Sequence, residues 1–361
     1  MFKLLCKCVL WVSLPFWSVA QATSVVFLNP GNSTEIFWVS YSHFMQAAAR
    51  DLGMDLRILY AERDAGRTLE QARQVIQSEH RPDYLMLVNE QYIAPQILRL
   101  SQGTGIKLFI VNSALTQDQR DLISQSQHKY SDWIGSMLGN DEEAGYLMLK
   151  ELLRQHGPLA PGQSIELLAF SGLKVTPAAQ QREQGLRRAL AEYPQVHLRQ
   201  LVYGEWSRER AYRQAQQLLR RYPQTQLVWS ANDEMALGAM SAARELGRKP
   251  GKDLLFSGLN SSPQALQALI DGQLSVLVAG HFTLGGWALV TLHDDALGLD
   301  TRRQGGPDWR LPLLQPLTPG QAQQLLRLGD RAGVRVNFRA LSAQGKPEGY
   351  HYPFGLQLLL H

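Results

Sequence analysis

The sequence predicts an α/β fold in which two doubly wound parallel-sheet domains are joined by a multi-strand hinge. Short apolar runs alternate with segments whose apolar residues recur at helical spacing, which is typical of a parallel sheet covered by helices on both faces. This alternation restarts after a connecting stretch at residues 127–139. With 361 residues, 45% of them apolar and 19% charged, the chain is long enough for two hydrophobic cores.

The first half contains four predicted strands, each a short apolar run that ends near a polar or turn-forming residue. These strands are residues 24–29, 56–60, 84–88 and 107–111. The helices predicted between them are residues 41–52, 69–78 and 93–102. The first helix is predicted by apolar residues at helical spacing, namely Phe44, Met45, Ala48 and Leu52.

The second half repeats the pattern. Its predicted strands are residues 164–170, 196–202, 226–230 and 254–258, and its predicted helices are residues 142–156, 181–192, 208–221 and 235–246. The segment LRILYAE at 56–62 is similar to LRQLVYGE at 198–205, and each precedes a Gln-rich helix, a proline and a strand. Those strands end in Asn89-Glu90 and Asn232-Asp233. Four similarities in the same order predict a duplicated domain.

The first 22 residues have the features of a secretory signal peptide. Lys3 and Lys7 precede an almost wholly apolar run at residues 8–17, and AQA at 20–22 fits an A-x-A cleavage site. The run is too short to span a bilayer as an anchor. We therefore expect a cleaved leader at residues 1–22 and a periplasmic mature protein. Both cysteines, Cys6 and Cys8, lie in the leader, so we expect no disulfide, thiol nucleophile or thiolate metal site.

The mature chain is nearly neutral. Because only Lys3 and Lys7 leave with the leader, the formal net charge falls from +4 to +2. This charge does not predict a nucleic-acid partner.

We expect an N-terminal lobe of residues 23–130 plus about 282–310, and a C-terminal lobe with an extension at 131–281 plus about 311–361. The crossing strands are expected near residues 127–133, 258–281 and 311–317.

Open parallel sheets bind ligands outside the carboxyl ends of their strands. The residues that follow the predicted strands are rich in Asn, Glu, Asp and Trp. They lack the His and Cys clusters of metal sites and the Gly-rich loops that hold phosphates, so no metal or cofactor is predicted. Amides and carboxylates hydrogen-bond to hydroxyls, and aromatic rings cover the apolar faces of sugars. The sequence therefore predicts an interdomain cleft for a small, polar, sugar-like ligand.

Several segments resemble the type I periplasmic binding proteins, the ribose- and galactose-binding group. The segment ANDEMALGA at 231–239 resembles that group's N-D-E-M-A-L-G-A, and GLNSSP at 258–263 resembles its G-F-D-G-T-P. DGQL at 271–274 resembles D-G-K-L, REQGL at 182–186 resembles R-x-x-G-F, and EIFW at 35–38 resembles N-P-F-F. The similarity runs in collinear order from about residue 25 to 297.

The resemblance implies ligand-binding roles for residues of both lobes. Phe37 and Trp38 would stack on one face of the ligand and Trp206 would cover the other. Hydrogen bonds would come from Arg182, Asn232 and Asn260 in the second lobe and from Asn112 in the first. His281, or Gly280 beside it, stands near the family's hinge glutamine. To these we add Glu35 at the cleft mouth and Asn89 at the end of a predicted strand.

The chain also departs from the pattern of the pentose binders. Asn112-Ser113 stands where they have an acid and an arginine, and Asn260 stands where they have an aspartate. Glu35 replaces the family's Asn in the first loop. Because the hydrogen-bonding pattern offered to the ligand changes, these differences argue against ribose itself.

Without the resemblance, several of these residues have ordinary structural explanations. Phe37 and Trp38 fit a core position at the start of a helix. Trp206 precedes Ser207, a good helix cap, so ordinary loop packing would account for it equally well. Arg182 is compatible with a solvated helix face, and Asn232 with a helix cap.

The predicted function is that of a monomeric receptor, which binds solute and delivers it to an inner-membrane ABC permease. The alternative is a receptor that docks on a membrane sensor kinase or chemoreceptor. Residues 311–342 resemble a longer subgroup that includes the autoinducer-2-binding protein, which favours signalling. Both roles use ligand contacts from two lobes to favour a closed state.

An enzyme is not predicted. A glycosidase would need a carboxylate pair across a scissile bond, and the candidates Glu62 and Glu205 fall on opposing domains. The sequence contains no G-x-S-x-G, H-E-x-x-H or P-loop motif. A repressor with the same core would need an N-terminal DNA-binding helix pair, and the leader occupies that position.

Overall fold

The computed structural model describes residues 22–125, 132–301, 308–329, 333 and 335–360. The predicted leader lies outside these residues, except for Ala22. Within the described part of the chain, no helix has both the length and the apolar character needed to cross a membrane.

Twelve strands are described, in two sheets. In chain order they are β1 (Ser24–Asn29), β2 (Asp55–Tyr60), β3 (Tyr84–Val88), β4 (Lys107–Asn112), β5 (Trp133–Leu138), β6 (Ile165–Ser171), β7 (Val196–Tyr203), β8 (Thr225–Ser230), β9 (Leu255–Leu259), β10 (Val276–Ala279), β11 (Asp308–Arg310) and β12 (Gln315–Pro316).

Eleven α-helices are described between and after these strands. They are α1 (Ile36–Leu52), α2 (Ala65–Gln77), α3 (Ala94–Leu100), α4 (Gln117–Gln125), α5 (Asp141–His156), α6 (Pro177–Glu192), α7 (Arg208–Arg221), α8 (Asp233–Glu245), α9 (Pro263–Ile270), α10 (Leu284–Ala296) and α11 (Pro319–Leu328). Short 3₁₀ helices at Glu90–Tyr92 and His281–Thr283 connect strands to helices at the site described below.

The two sheets have the same strand order. The first is β11-β5-β4-β3-β1-β2 and the second is β12-β10-β9-β8-β6-β7. All neighbours are parallel except β12, which runs antiparallel to β10. The prediction of two doubly wound α/β lobes is confirmed, and the shared order agrees with an internal repeat. Apolar side chains are fully buried in both lobes, Phe27 and Tyr41 in the first and Phe170 and Trp229 in the second.

Several helices begin at a capping side chain that follows a strand closely. Asp64 accepts a hydrogen bond from Arg67 N at the start of α2, and Ser207 accepts from Arg210 N at the start of α7. Asn232 caps α8. Such caps fix where each helix starts, and so they fix the loops at the carboxyl ends of the sheets.

The structure corrects the expected lobe boundary at residues 130/131. β5 pairs with β4 in the first sheet, so the chain reaches the second lobe only at Gly139 and Asn140. The connection between the lobes that was expected near residues 127–133 therefore also lies later in the chain, after β5. An apolar run predicts a strand but not the sheet in which that strand pairs, so the sequence pattern alone does not locate this boundary.

The assignment of residues 311–361 to the C-terminal lobe is corrected in part. β12 and α11 lie with the second lobe, where α11 packs on α9. The C-terminal extension, residues 335–360, packs instead on α1 and α10 of the first lobe. The Phe338 ring lies 5.3 Å from Phe44 and 5.6 Å from Trp287, centroid to centroid. These contacts join distant parts of the chain and leave no local pattern in the sequence.

Three connections between the lobes lie side by side. The second follows β10 at Gly280, and the third runs from β11 to β12. Asn140, on the first connection, holds the third through both amide atoms, since Nδ2 donates to Leu314 O at 3.1 Å and Oδ1 accepts from Leu314 N at 2.8 Å. Gly280 has φ +133°, and a Cβ there would lie 2.0 Å from Leu313 O. Only glycine fits this close approach without displacement.

Candidate ligand-binding cleft

Loops from both sheets enclose a cavity of about 50 Å³ between the lobes, called the cleft below. Nine of the ten predicted site residues line it, and they come from both lobes. They are Glu35, Phe37, Trp38, Asn112, Arg182, Trp206, Asn232, Asn260 and His281. Arg63, Val88, Glu90, Ser113 and Ala178 complete the lining.

Asn89 is the predicted site residue that does not line the cleft. Its side chain is fully buried within the first lobe, where Nδ2 donates to Ala114 O at 2.7 Å and to Gln119 Oε1 at 2.8 Å. Its Oδ1 accepts from Ala94 N at 3.1 Å. The next residue, Glu90, lines the cleft instead. Successive side chains at the end of a strand point in opposite directions, so Asn89 faces the interior of the lobe and Glu90 faces the cleft.

Arg182 is buried, so the interpretation as a solvated helix charge is wrong. Its Nε donates to Asp141 Oδ1 at 2.8 Å and its Nη1 donates to Ala231 O at 2.7 Å. The guanidinium lies 5.5 Å from the ring centroid of Trp206. These contacts fix the second lobe's cation at the cleft wall with one carboxylate behind it.

Asn232 caps a helix and also lies in the cleft lining. Its Oδ1 accepts from Met235 N at 2.9 Å and so caps α8. Its Nδ2 donates to Trp206 O at 3.1 Å, which ties the cap to the neighbouring loop. The side chain also lines the cleft. Asn232 therefore positions Trp206 as well as facing the cleft.

Asp233 holds the next loop of the second lobe. Its Oδ1 accepts from Asn260 Nδ2 at 3.0 Å and its Oδ2 accepts from Ser262 N at 2.9 Å. Burial raises the pKa of Asp233, and the hydrogen bonds from Ser262 and Asn260 oppose that rise. Asn260 has φ +111°, a conformation that this carboxylate helps to hold.

The aromatic part of the cleft spans both lobes. The rings of Phe37 and His281 stack with centroids 4.5 Å apart and planes at 21°. Trp38 packs edge-on against Phe37 at 4.9 Å, is buried in the apolar core that spans both lobes, and also lines the cleft. Trp206, on the opposite lobe, is partly buried and packs against the same core.

His281 is neutral at neutral pH. Burial, reinforced by the nearby charge of Arg182, lowers its pKa well below the usual value. Its Nε2 lies 3.5 Å from Arg182 Nη2, and because arginine only donates, Nε2 is the acceptor and Nδ1 carries the proton. That Nδ1 has no hydrogen-bond partner among the described residues.

An ion cluster of Glu35, Arg63 and Glu90 forms the first lobe's side of the cleft. Arg63 Nε donates to Glu35 Oε2 at 3.0 Å, Nη2 also pairs with Glu35, and Nη1 donates to Glu90 Oε1 at 2.8 Å. Burial would lower the pKa of Arg63, but the two carboxylates outweigh it and the pKa is raised. Burial raises the pKa of Glu90, and Arg63 opposes that rise.

Arg63 was not among the predicted site residues, although the repeat contains a signal for it. Glu62-Arg63 follows β2 as Glu205-Trp206 follows β7, and β2 and β7 occupy the same place in their sheets. Both pairs adopt the left-handed conformation, with φ of 54° and 62° in the first and 53° and 65° in the second. An alignment of the two halves therefore puts Arg63 opposite Trp206.

Four buried polar atoms of cleft residues have no hydrogen-bond partner among the described residues. They are Trp38 Nε1, Asn112 Oδ1, Trp206 Nε1 and His281 Nδ1. Unpaired buried groups are costly, and a ligand that carries both donors and acceptors would satisfy them. Asn112 has φ +65°, so its backbone is also held in a less common conformation.

The structure gives no support to the hydrolase alternative. Glu62 accepts from Ser33 N at 3.2 Å and Glu205 pairs with Arg210 at 3.1 Å, and neither carboxylate lines the cleft. Within the described residues, no group of three or more His, Cys, Asp or Glu side chains is arranged to hold a metal ion.

The chain is similar to known proteins in both sequence and fold. A periplasmic binding protein domain model matches residues 25–298. The chain is 23% identical over 262 residues to the ribose import binding protein RbsB of Escherichia coli (strain K12), which covers 72% of this chain and 80% of that protein.

Solved structures give the same result. The crystal structure of a periplasmic sugar-binding protein from Pseudomonas fluorescens is 79% identical with a TM-score of 0.89, covering 94% of this chain and 100% of that one. The arabinose-binding component of an ABC transporter from Shewanella sp. ANA-3 shares the fold at 22% identity and a TM-score of 0.70, covering 91% and 100%. Since the family model spans well over half of its length, the chain belongs to the periplasmic binding protein family.

Proposed function

We propose that this protein is a non-enzymatic receptor that binds one small, polar, sugar-like ligand in the cleft and serves as the substrate-binding component of an ABC importer. The observation that carries the proposal is a cavity lined from both lobes by aromatic, amide and charged side chains. Aromatic faces cover the apolar side of a sugar ring, and amides and charged groups bind its hydroxyls.

Ligand exchange requires the lobes to separate. A cavity of about 50 Å³ is smaller than a monosaccharide needs, because it accommodates only a few water molecules. A ligand that contacts both lobes favours the closed arrangement, and the connections at Asn140 and Gly280 are the points about which the lobes would rotate. We infer that the protein acts as a periplasmic monomer.

The relatives support a sugar-like ligand. The RbsB proteins are named for ribose import, the Shewanella protein was solved with α- and β-L-arabinofuranose, and two further neighbours were solved with D-allose and myo-inositol. These ligands differ in ring size and number of carbons but share closely spaced hydroxyls.

A thermal-shift panel on residues 23–361 tests the proposal. D-Ribose, L-arabinose, D-allose, D-galactose and myo-inositol are compared with glycine and L-glutamate as controls. A bound sugar present at a hundred times its Kd stabilises the folded state by about 2.7 kcal/mol and raises the melting temperature. A shift given only by the amino acids would contradict the proposal.

The second candidate function is ligand sensing through a membrane sensor kinase or chemoreceptor. It is favoured by the extension at residues 335–360, which gives the first lobe a surface that the second lobe lacks. Deletion of the gene separates the two roles. Loss of sugar uptake supports import, whereas normal uptake with loss of sugar-dependent kinase phosphorylation supports sensing.

A further inference from the structure

The ion cluster of the first lobe contains more negative than positive charge. Arg63 is shared by two carboxylates, and three of its five N–H groups are used, two on Glu35 and one on Glu90. The side chains of Glu35 and Glu90 are only 24% and 10% exposed. Glu90 is thus the more buried carboxylate and the one with fewer bonds from the guanidinium.

The second lobe does not offset this excess of negative charge. Its cleft cation, Arg182, is already paired with Asp141, and both side chains are 6% exposed. Asp233 adds another carboxylate behind Asn260, and His281 is neutral. Four carboxylates therefore stand against two guanidinium groups in and directly behind the cleft wall.

We infer that Glu90 is a ligand-contacting residue that selects neutral hydroxyl donors over sugar acids, with Arg63 as the residue that positions it. The inference rests on the proposed function and narrows its ligand class. It is carried by the placement of Glu90 in the cleft lining, its burial, and its single bond to a shared guanidinium.

This selectivity follows from the free-energy cost of a buried carboxylate that receives too few hydrogen bonds. Sugar hydroxyls supply donors without adding charge, so they stabilise ionised Glu90. The carboxylate of a uronic acid would bring one more negative charge into the same low-dielectric space and would lose its own hydration. The negative charge of the first lobe is therefore enough to make the cleft favour a sugar over the corresponding sugar acid.

The same contact makes the affinity for a neutral sugar depend on pH. The charged groups that act on Glu90 are Arg63 and Arg182, which favour its ionised form, and Glu35, which opposes it. Ligand hydroxyls that donate to the carboxylate favour the ionised form further. Affinity is therefore highest above the pKa of Glu90 in the unliganded protein and falls as the pH is lowered through it.

Isothermal titration calorimetry with matched pairs tests the inference. The probes are D-galactose with D-galacturonate, D-glucose with D-glucuronate, and D-ribose with D-ribonate. The neutral member is expected to bind at least tenfold more tightly than its acid, and Glu90→Gln to reduce that preference at least tenfold. Glu70→Gln, an exposed acid on α2 of the same lobe, is the control and should leave both affinities unchanged.

The pH series provides the second readout. Between pH 7.5 and 5, affinity for the neutral sugar should fall in the wild type and stay flat in Glu90→Gln. If Glu90→Gln does not fold, Glu90→Asp retains the charge on a shorter side chain and should bind the neutral sugar more weakly while still rejecting the acid. Arg63→Lys keeps one charge but loses the fork geometry, and should weaken the preference in the same direction.

The outcomes separate the two proposals. Binding of no probe, neutral or acidic, together with no thermal shift from any sugar of the panel, would overturn the proposed sugar-binding function. Binding of a neutral sugar with equal or tighter binding of its acid, or an unchanged preference in Glu90→Gln, would overturn the role of Glu90 and leave sugar binding standing.

Discussion

The two lobes share one strand order, yet the loops after equivalent strands line the cleft with different chemistry. After β3 and β8 the chain reads Asn89-Glu90 and Asn232-Asp233. In the first lobe Asn89 is buried in the interior and Glu90 lines the cleft. In the second lobe Asn232 lines the cleft and Asp233 holds the neighbouring loop through Asn260. The order of amide and acid is the same, but their roles are exchanged.

The positions after β2 and β7 differ in a second way. Arg63 and Trp206 share a left-handed backbone, with φ of 62° and 65°, and both line the cleft. One presents a guanidinium within an ion cluster and the other presents an aromatic ring beside Arg182. Topology therefore decides which residues reach the cleft, and the individual side chains decide what each lobe can bind.

The largest expected effect contrasts the two arginines. Arg182→Met leaves Asp141 buried without its cation and should lower the free energy of unfolding by about 4 kcal/mol. Arg63→Met should cost less, about 2 kcal/mol, because water screens the partly exposed Glu35 and only Glu90 is left buried without its cation. Urea unfolding of both variants measures the difference. Equal losses would mean that burial does not distinguish the two ion clusters.

The extension gives the next largest effect. Asp294 is fully buried and accepts from Ser342 Oγ, from Ala343 N at 2.7 Å and from Tyr352 Oη at 2.7 Å. Asp294→Ala should cost about 3 kcal/mol because three donors lose a charged acceptor. It should also make residues 335–360 sensitive to limited proteolysis.

The control for this prediction is Glu348→Ala, which changes an exposed acid in the same extension. Its stability and its proteolysis pattern should match the wild type. If Asp294→Ala behaves like this control, the attachment of the extension to the first lobe does not depend on the buried carboxylate.

The two asparagines should separate structure from binding. Asn89→Ala removes three hydrogen bonds within the first lobe and should lower stability by about 2 kcal/mol without a specific effect on sugar affinity. Asn232→Ala should cost about 1 kcal/mol of stability as a lost cap, and on the order of 1–3 kcal/mol of affinity. Calorimetry and urea unfolding on both variants give the two quantities. A loss of affinity in Asn89→Ala alone would reverse the assignment.

The smallest expected effect is the pH dependence that His281 adds to stability. In the unfolded chain His281 takes up a proton near pH 6.5, whereas burial and Arg182 keep it neutral in the folded state. Its contribution is therefore present above that pH and is lost as the pH falls, by about 1 kcal/mol per pH unit. His281→Gln should remove this slope. The raised pKa values of Glu90 and Asp233 act in the opposite direction, but they are common to both proteins.

Much of the fold could be predicted because strand and helix periodicity is local. The ring of residues around the cleft followed as well, since the carboxyl ends of parallel strands meet at one edge. Side-chain direction at the strand end was not predictable, as Asn89 and Glu90 illustrate. Nor was the pairing of β5 with the first sheet, which depends on contacts between its backbone and β4.

The extension illustrates a different limit. Its attachment depends on rings that are far apart in the chain, such as Phe44 with Phe338 and Trp287 with Phe354. Ordinary apolar residues at these positions are compatible with either lobe. Arg63, by contrast, could be predicted as a cleft residue from the sequence, because the internal repeat aligns it with Trp206.

The most direct test of a cleft shared by two unlike lobes is a crystal structure of residues 23–361 with the sugar that gives the largest thermal shift. We expect the sugar between Phe37 and Trp206, with hydrogen bonds to Glu90 or Asn112 from the first lobe and to Arg182 or Asn232 from the second. A sugar bound to one lobe only, or outside these residues, would contradict the assignment of the cleft.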